Sequence, residues 1–187
     1  LHGLSFDFKS LTTGLWPFCD ARPDTDMDKA LNRELLILRH AKSDWAPGTA
    51  NDFDRPLSKR GRRVSKKLGK WLRSQTLIPQ QIVCSTAERA RQTALRVCQF
   101  ADLTQSIISW QPTIYEARLE TLLELIASVP NDINRLMLIG HNPGLEYLVR
   151  YLADDSLDAW DTANLMPTAA LARLLMPMDW RTCAPAC

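Results

Sequence analysis

Apolar residues in this chain fall into short unbroken runs, and between them they recur at helical spacing. Leu35-Leu36-Ile37-Leu38 and Leu136-Met137-Leu138-Ile139 are continuous runs bounded by polar residues, and Gln81-Ile82-Val83-Cys84 is a shorter one that opens on a polar residue. Such runs mark strands covered on both faces. After the first run, Ser58 is placed to cap a helix whose stripe is Val64, Leu68, Trp71 and Leu72. After the second, Ser85-Thr86-Ala87-Glu88 has the spacing of a capping box, ahead of a helix that buries Ala90, Ala94, Val97 and Cys98. Residues 107–110 predict a third, more exposed strand. Leu119, Leu122, Leu123 and Ile126 predict a helix ending before Pro130. After the run ending at Ile139, Asn142 is a suitable cap and Pro143 suits a first helical position, with Leu145, Leu148, Val149 and Leu152 as the stripe. Residues 169–176 predict the last strand. Residues 41–57, with Pro47, Gly48 and Pro56, and the acidic stretch 153–167 read as loops. This alternation predicts a single three-layer α/β domain, with a mostly parallel central sheet and helices on both faces.

Residues 1–26 break the pattern. They mix Gly, Pro, Thr and Asp with scattered aromatics and show no sustained period, which predicts an irregular N-terminal extension ahead of a domain spanning 27–187. A basic start followed by an apolar core is missing there, which argues against a signal peptide. Met27 is the expected natural start, or residues 1–26 are a loosely attached extension.

Composition changes this picture little. The 187 residues are 45% hydrophobic and 24% charged, an ordinary globular balance. A formal net charge of +2 points to neither nucleic acid nor membrane as partner. No apolar run approaches the roughly 18 residues needed to span a bilayer. The five cysteines, Cys19, Cys84, Cys98, Cys183 and Cys187, form no CxxC pair, so neither a zinc site nor a disulfide framework is expected. Cys84 and Cys98 sit in apolar contexts and read as buried thiols. A reducing cytoplasmic setting and a monomer are the expectations. Lys59, Arg62, Arg63, Lys66, Lys67 and Lys70 form a charge run on the first helix. It reads as a solvated surface, with docking of an acidic partner as the lesser alternative.

Candidate chemistry gathers where strands end. His40 and His141 each follow one of the most apolar strands directly. In an open α/β sheet, ligands bind beyond the carboxyl ends of the strands, so both imidazoles are expected at one edge. Residues 85–93 bring hydroxyls and a helix N-terminus to that edge, with Arg89 on the first turn. Helix N-termini attract anions, and the planar forks of Arg39 and Arg89 suit phosphate oxygens. Taken singly, each histidine could merely close a strand and each arginine could be a surface charge.

These segments resemble a known family. Arg39-His40-Ala41, then Ser85 to Thr93 as S-x-x-x-R-A-x-Q-T, then Gly140-His141-Asn142-Pro143 are similar to the motifs of the histidine phosphatase superfamily, the phosphoglycerate mutase-like fold. Residues 39–45, 54–61, 114–117 and 166–171 resemble its SixA-like branch of phosphohistidine phosphatases. The resemblance runs from about residue 34 to 180. It implies that His40 is the nucleophile and becomes phosphorylated, that Arg39, Arg89 and His141 hold the phosphoryl oxygens, and that neither metal nor cofactor is needed. Esters would need a proton donor, and Glu116 is the carboxylate in the third strand-end loop; it reads equally as a solvated side chain. Ser85 could touch phosphate or only cap its helix. Arg55 could steer anionic substrates, or it could fix its loop.

The implied substrate is a phosphorylated protein, namely phosphohistidine on a signalling phosphotransfer domain. A phosphatase of small phosphate esters is the first alternative. A non-catalytic phospho-recognition module is the second, weakened by the presence of all four pocket residues. A mutase is disfavoured by the short chain.

Overall fold

Side-chain alternation along the central strands decides how the layers assemble in the computed structural model. The structure describes the backbone of residues 6–9, and residues 33–45, 48–153 and 165–183. Cys19, Met27, Pro47, Cys187 and most of the acidic stretch (154–164) lie outside the described residues.

The elements in chain order are β1 (Phe6–Lys9), β2 (Arg33–Arg39), α1 (Lys59–Ser74), β3 (Gln81–Ser85), α2 (Glu88–Ala101), β4 (Ile108–Gln111), α3 (Leu119–Ala127), β5 (Arg135–Gly140), α4 (Gly144–Ala153) and β6 (Leu171–Met176). One sheet has the order β1-β6-β2-β5-β3-β4. β2, β5, β3 and β4 run parallel, while β6 is antiparallel to β2 and β1 is antiparallel to β6. Leu35 and Ile37 of β2 and Leu136 and Leu138 of β5 face α3 and α4. Leu36, Leu38, Met137 and Ile139 face α1 and α2. All eight are buried on this two-sided sheet, which is why these strands are unbroken apolar runs. The α/β sheet with helices on both faces is as the pattern predicts.

The chain leaves β2 toward the α1/α2 face and leaves β5 toward the α3/α4 face. These two strands are parallel neighbours, with Arg39 opposite Gly140 in register. The crevice beyond their carboxyl ends is therefore a topological switch point, where open α/β sheets bind ligands.

Three local expectations are corrected. Residues 6–9 are not irregular: the alternating Phe6-Asp7-Phe8-Lys9 pairs with residues 171–174 as an edge strand. The capping box at Ser85 does not form. Ser85 is the last residue of β3, Ala87 is the cap residue of α2, and no side chain caps that helix. Asn142 and Pro143 precede α4, which starts at Gly144; the Asn142 amide donates to the Met166 carbonyl at 3.0 Å instead of serving the helix. Ser58 caps α1 as predicted, its hydroxyl accepting the Gly61 N–H.

Cys84 and Cys98 are buried free thiols. Burial pushes the Cys84 pKa up, and that of Cys98 up to about 11, so both stay protonated. Among the described residues no helix is long and apolar enough to cross a membrane.

Candidate active site

Strand register places the two imidazoles side by side. His40 follows β2 and His141 follows β5, and their ring centroids are 4.9 Å apart. Both rings are buried. His40 Nδ1 lies 2.9 Å from the Ala41 carbonyl, and its Nε2 accepts from Arg89 Nε at 3.3 Å. An acceptor Nε2 requires the proton on Nδ1, so the ring is neutral with Nε2 carrying the lone pair. Burial, first of all, lowers the His40 pKa to about 3; Arg89, Arg39 and Arg55 lower it further, while the bond to Ala41 opposes them.

His141 Nε2 lies 2.9 Å from the Ser85 hydroxyl. That oxygen already accepts the Ala87 N–H at 3.3 Å, and its own proton has no other acceptor among the described residues. Ser85 therefore donates to Nε2 and leaves the His141 proton on Nδ1, a buried nitrogen without a protein partner. Burial, and then His40 and Arg89, lower the His141 pKa to about 3. Arg39 donates through Nη1 to the Met166 carbonyl at 2.7 Å, and its Nε is likewise buried and unpartnered. Arg39 Nε and His141 Nδ1 are both buried N–H groups open to an acceptor, and a phosphoryl oxygen would supply it.

Arg89 is buried and tightly held. Its Nη1 donates to the Asp52 carbonyl at 2.6 Å and its Nη2 to the Asp52 carboxylate at 2.9 Å. That carboxylate also accepts the Tyr115 hydroxyl at 3.1 Å, and Tyr115 packs edge-on against His141 at 5.4 Å. Burial tends to raise the Asp52 pKa, but Arg89, Tyr115 and Arg55 outweigh it and lower the net value. Asp52 is thus an ionised member of the site.

The rest of the 85–93 segment supports the nucleophile. Thr93 Oγ1 accepts the Ala41 N–H at 3.1 Å and donates to the Arg89 carbonyl at 2.7 Å. Gln92 accepts the Leu57 N–H at 2.8 Å. From the other side, α1 closes on the loop after His40, where Ser58 N–H and its hydroxyl both donate to the Lys42 carbonyl. A Cβ on Gly61 would run into that same carbonyl oxygen, so this approach requires glycine.

His40 contacts His141 and Arg89 directly, and Arg39 lies close enough to act electrostatically on all three. Ser85 is buried and its hydroxyl bonds His141 Nε2. Arg55 donates to the Asp52 carboxylate and to Ser43 Oγ, each at 2.7 Å, and lies over the Trp45 ring; it fixes the 48–56 loop to the loop after β2. Glu116 is exposed, at a left-handed φ of 54°, and hydrogen-bonds none of these residues. It lines an adjoining groove of about 610 Å³ with Arg118, Asn142, Pro143 and Tyr147. Asp52 and Tyr115 are the residues that sequence reasoning missed. Tyr115 lies inside the 114–117 segment, and Asp52 lies two residues before the 54–61 segment. Among the described residues no group of His, Cys, Asp and Glu side chains forms a metal-ligand set.

Comparison with known proteins agrees with this geometry. The sequence model of the histidine phosphatase superfamily (branch 1) matches residues 35–111. An uncharacterized protein of Mycobacterium tuberculosis is 33% identical over 154 residues, covering 80% of this chain and 94% of that protein. A crystal structure from Agrobacterium tumefaciens is 33% identical with a TM-score of 0.65, covering 75% of this chain and 89% of that one. A second structure, from Nakamurella multipartitia, is 26% identical with a TM-score of 0.67, covering 82% and 90%. Both carry the name phosphohistidine phosphatase SixA as an assignment. Paired imidazoles and guanidinium groups at the switch point, together with these likenesses along most of the chain, establish that this protein belongs to the histidine phosphatase superfamily, in its SixA-like branch.

Proposed function

We propose that this phosphatase removes the phosphoryl group from phosphohistidine on a signalling phosphotransfer protein, by way of a phospho-His40 intermediate. The observation that carries the reading is the state of His40: a neutral ring, oriented by its Nδ1–H on the Ala41 carbonyl, with the Nε2 lone pair free of a proton. Nε2 attacks phosphorus as the substrate's P–N bond breaks, and the departing imidazole nitrogen takes up a proton from solvent, which the second step returns when the attacking water loses one. Water then attacks the phosphorus on His40, giving inorganic phosphate and restoring neutral Nε2. Arg39 Nε and His141 Nδ1 donate hydrogen bonds to the oxygens where charge resides in the transition state, and the Arg39 and Arg89 guanidinium groups offset that charge. A cytoplasmic setting fits a phosphotransfer substrate.

The available carboxyls favour a P–N bond over an ester. An alkoxide leaving group needs a protonated acid nearby. Asp52 is held ionised by Arg89, and Glu116 is exposed and bonded to none of the pocket residues. A phosphorylated imidazole leaves with less acid assistance, and this pocket provides little.

The test is turnover of a phosphohistidine substrate against an alkyl phosphate such as glycerol phosphate, whose alkoxide does need an acid, in the wild type and in Glu116→Gln. Preference for phosphohistidine, unaltered by Glu116→Gln, is expected. Fast ester turnover that collapses in Glu116→Gln would assign the protein to small phosphate esters. His40→Ala is expected to abolish turnover and the acid-labile phosphoenzyme, and retention of the wild-type rate would refute the nucleophile.

A further inference from the structure

We propose that the exposed face of α1 is a docking surface for the acidic face of the phosphorylated partner protein; this rests on the protein-borne phosphohistidine substrate of the preceding section. The 16 residues of α1 include Lys59, Arg60, Arg62, Arg63, Lys66, Lys67, Lys70 and Arg73, and no acidic residue. All eight are exposed. The whole chain has 23 basic and 21 acidic residues, so outside α1 there remain 15 basic against 21 acidic. The near-neutral total thus conceals a helix that carries eight basic residues and no acidic one.

As a helix surface alone this arrangement is unfavourable. Lys59 and Arg60 put positive charge at the N-terminal end, against the helix dipole, and the first turn has no acid to offset them. Lys59 and Arg63, Arg63 and Lys67, Arg62 and Lys66, and Lys66 and Lys70 are like-charge pairs four residues apart, each of which destabilises a helix. A face selected only for solubility mixes signs. Compensation from within the described residues is slight. Arg73 pairs with Asp102 at 3.5 Å, Arg62 spends its guanidinium on the Leu57 carbonyl, and Lys66 lies over the Phe100 ring.

Position indicates what supplies the missing negative charge. Lys59, Arg63, Lys67 and Lys70 follow one another along the side opposite buried Leu68 and Leu72, a stripe about 16 Å long at 1.5 Å per residue. It begins beside Ser58 and Gly61, the residues packed on the Lys42 carbonyl two positions after His40. A protein that brings a phosphorylated imidazole to His40 must lay its own surface beside the pocket, and here that neighbouring surface is cationic. Acidic side chains on the partner would relieve the repulsion within α1 and speed encounter.

The test uses the triple variant R63E/K67E/K70E of the full chain. Its substrates are an acidic, histidine-phosphorylated phosphotransfer domain and p-nitrophenyl phosphate. For the wild type, kcat/KM on the phosphodomain should fall as salt is raised. The variant should be slower on it by about tenfold or more at low salt, with little salt dependence left, while p-nitrophenyl phosphate turnover is unchanged. Neutral R63Q/K67Q/K70Q should fall between the two. Equal kcat/KM for wild type and triple variant, with both turning over the phosphodomain, overturns the docking surface and leaves the substrate assignment standing. A wild type inactive on the phosphodomain at every salt concentration overturns the substrate assignment and the docking surface with it. Binding to duplex DNA or phosphatidylserine vesicles that the triple variant loses, with phosphodomain kinetics unchanged, would give the stripe to those partners and overturn the proposal.

Discussion

At the scale of single residues, the site depends on keeping two imidazoles uncharged among cations. In the folded protein His40 and His141 stay neutral down to about pH 3, burial being the main cause. In the unfolded chain they titrate near the ordinary value of about 6.5. Between these limits the unfolded chain binds more protons, so their effect is to lower stability as pH falls from about 6.5 toward 3. The thermal midpoint should therefore drop between about pH 7 and pH 4, and less steeply in His141→Asn, which removes one of the two protonatable rings; equal slopes would contradict the assignment. By the same reasoning, kcat/KM should show no acid limb near 6.5 from His40. Ser85→Ala removes the donor to His141 Nε2 and frees that ring to change tautomer. We expect kcat to fall about tenfold or more with a stability loss of about 1 kcal/mol, measured by steady-state kinetics and urea unfolding. A variant with normal kcat would show that the hydroxyl merely closes the strand end.

At the scale of elements, the catalytic loop is clamped between α1 and α2. Gly61 touches the Lys42 carbonyl from one side, and Thr93 accepts the Ala41 N–H from the other. Gly61→Ala must push α1 away from that carbonyl, at a cost of about 2 kcal/mol. Because the displaced carbonyl is two residues from His40, kcat should fall together with the denaturation midpoint. A change in midpoint alone would mean that the loop adjusts freely. Much of this was legible in the sequence. The unbroken apolar runs identify strands covered on both sides, and a histidine at the end of each of two such runs marks the pocket. Three matters could not be read. The Ser85 hydroxyl serves a side chain 56 positions away, so its local capping pattern misled. Asn142 bonds across to Met166, 24 positions on, and not to its own helix. Asp52 enters the site through Arg89 and Tyr115, 37 and 63 residues distant. Local spacing encodes periodicity and caps; these pairings follow from the way separate loops stack at one sheet edge.

At the scale of the whole molecule, β6 separates the added edge strand from the two strands that build the pocket. β1 touches the sheet only through β6, whereas the pocket forms beyond β2 and β5. We expect deletion of residues 1–26 to leave kcat/KM unchanged and to lower the thermal midpoint, since β6 would lose its outer partner; loss of activity in a folded deletion protein would give the extension a catalytic part. The two strands that bear the imidazoles each have a strand neighbour on both sides and carry Leu36, Leu38, Met137 and Ile139, all fully buried. Their amides should accordingly exchange with deuterium only when the entire chain opens. The reacting nitrogen is thus anchored in the part of the molecule that breathes least, and new substrates can be accommodated by remodelling the surrounding loops without disturbing it.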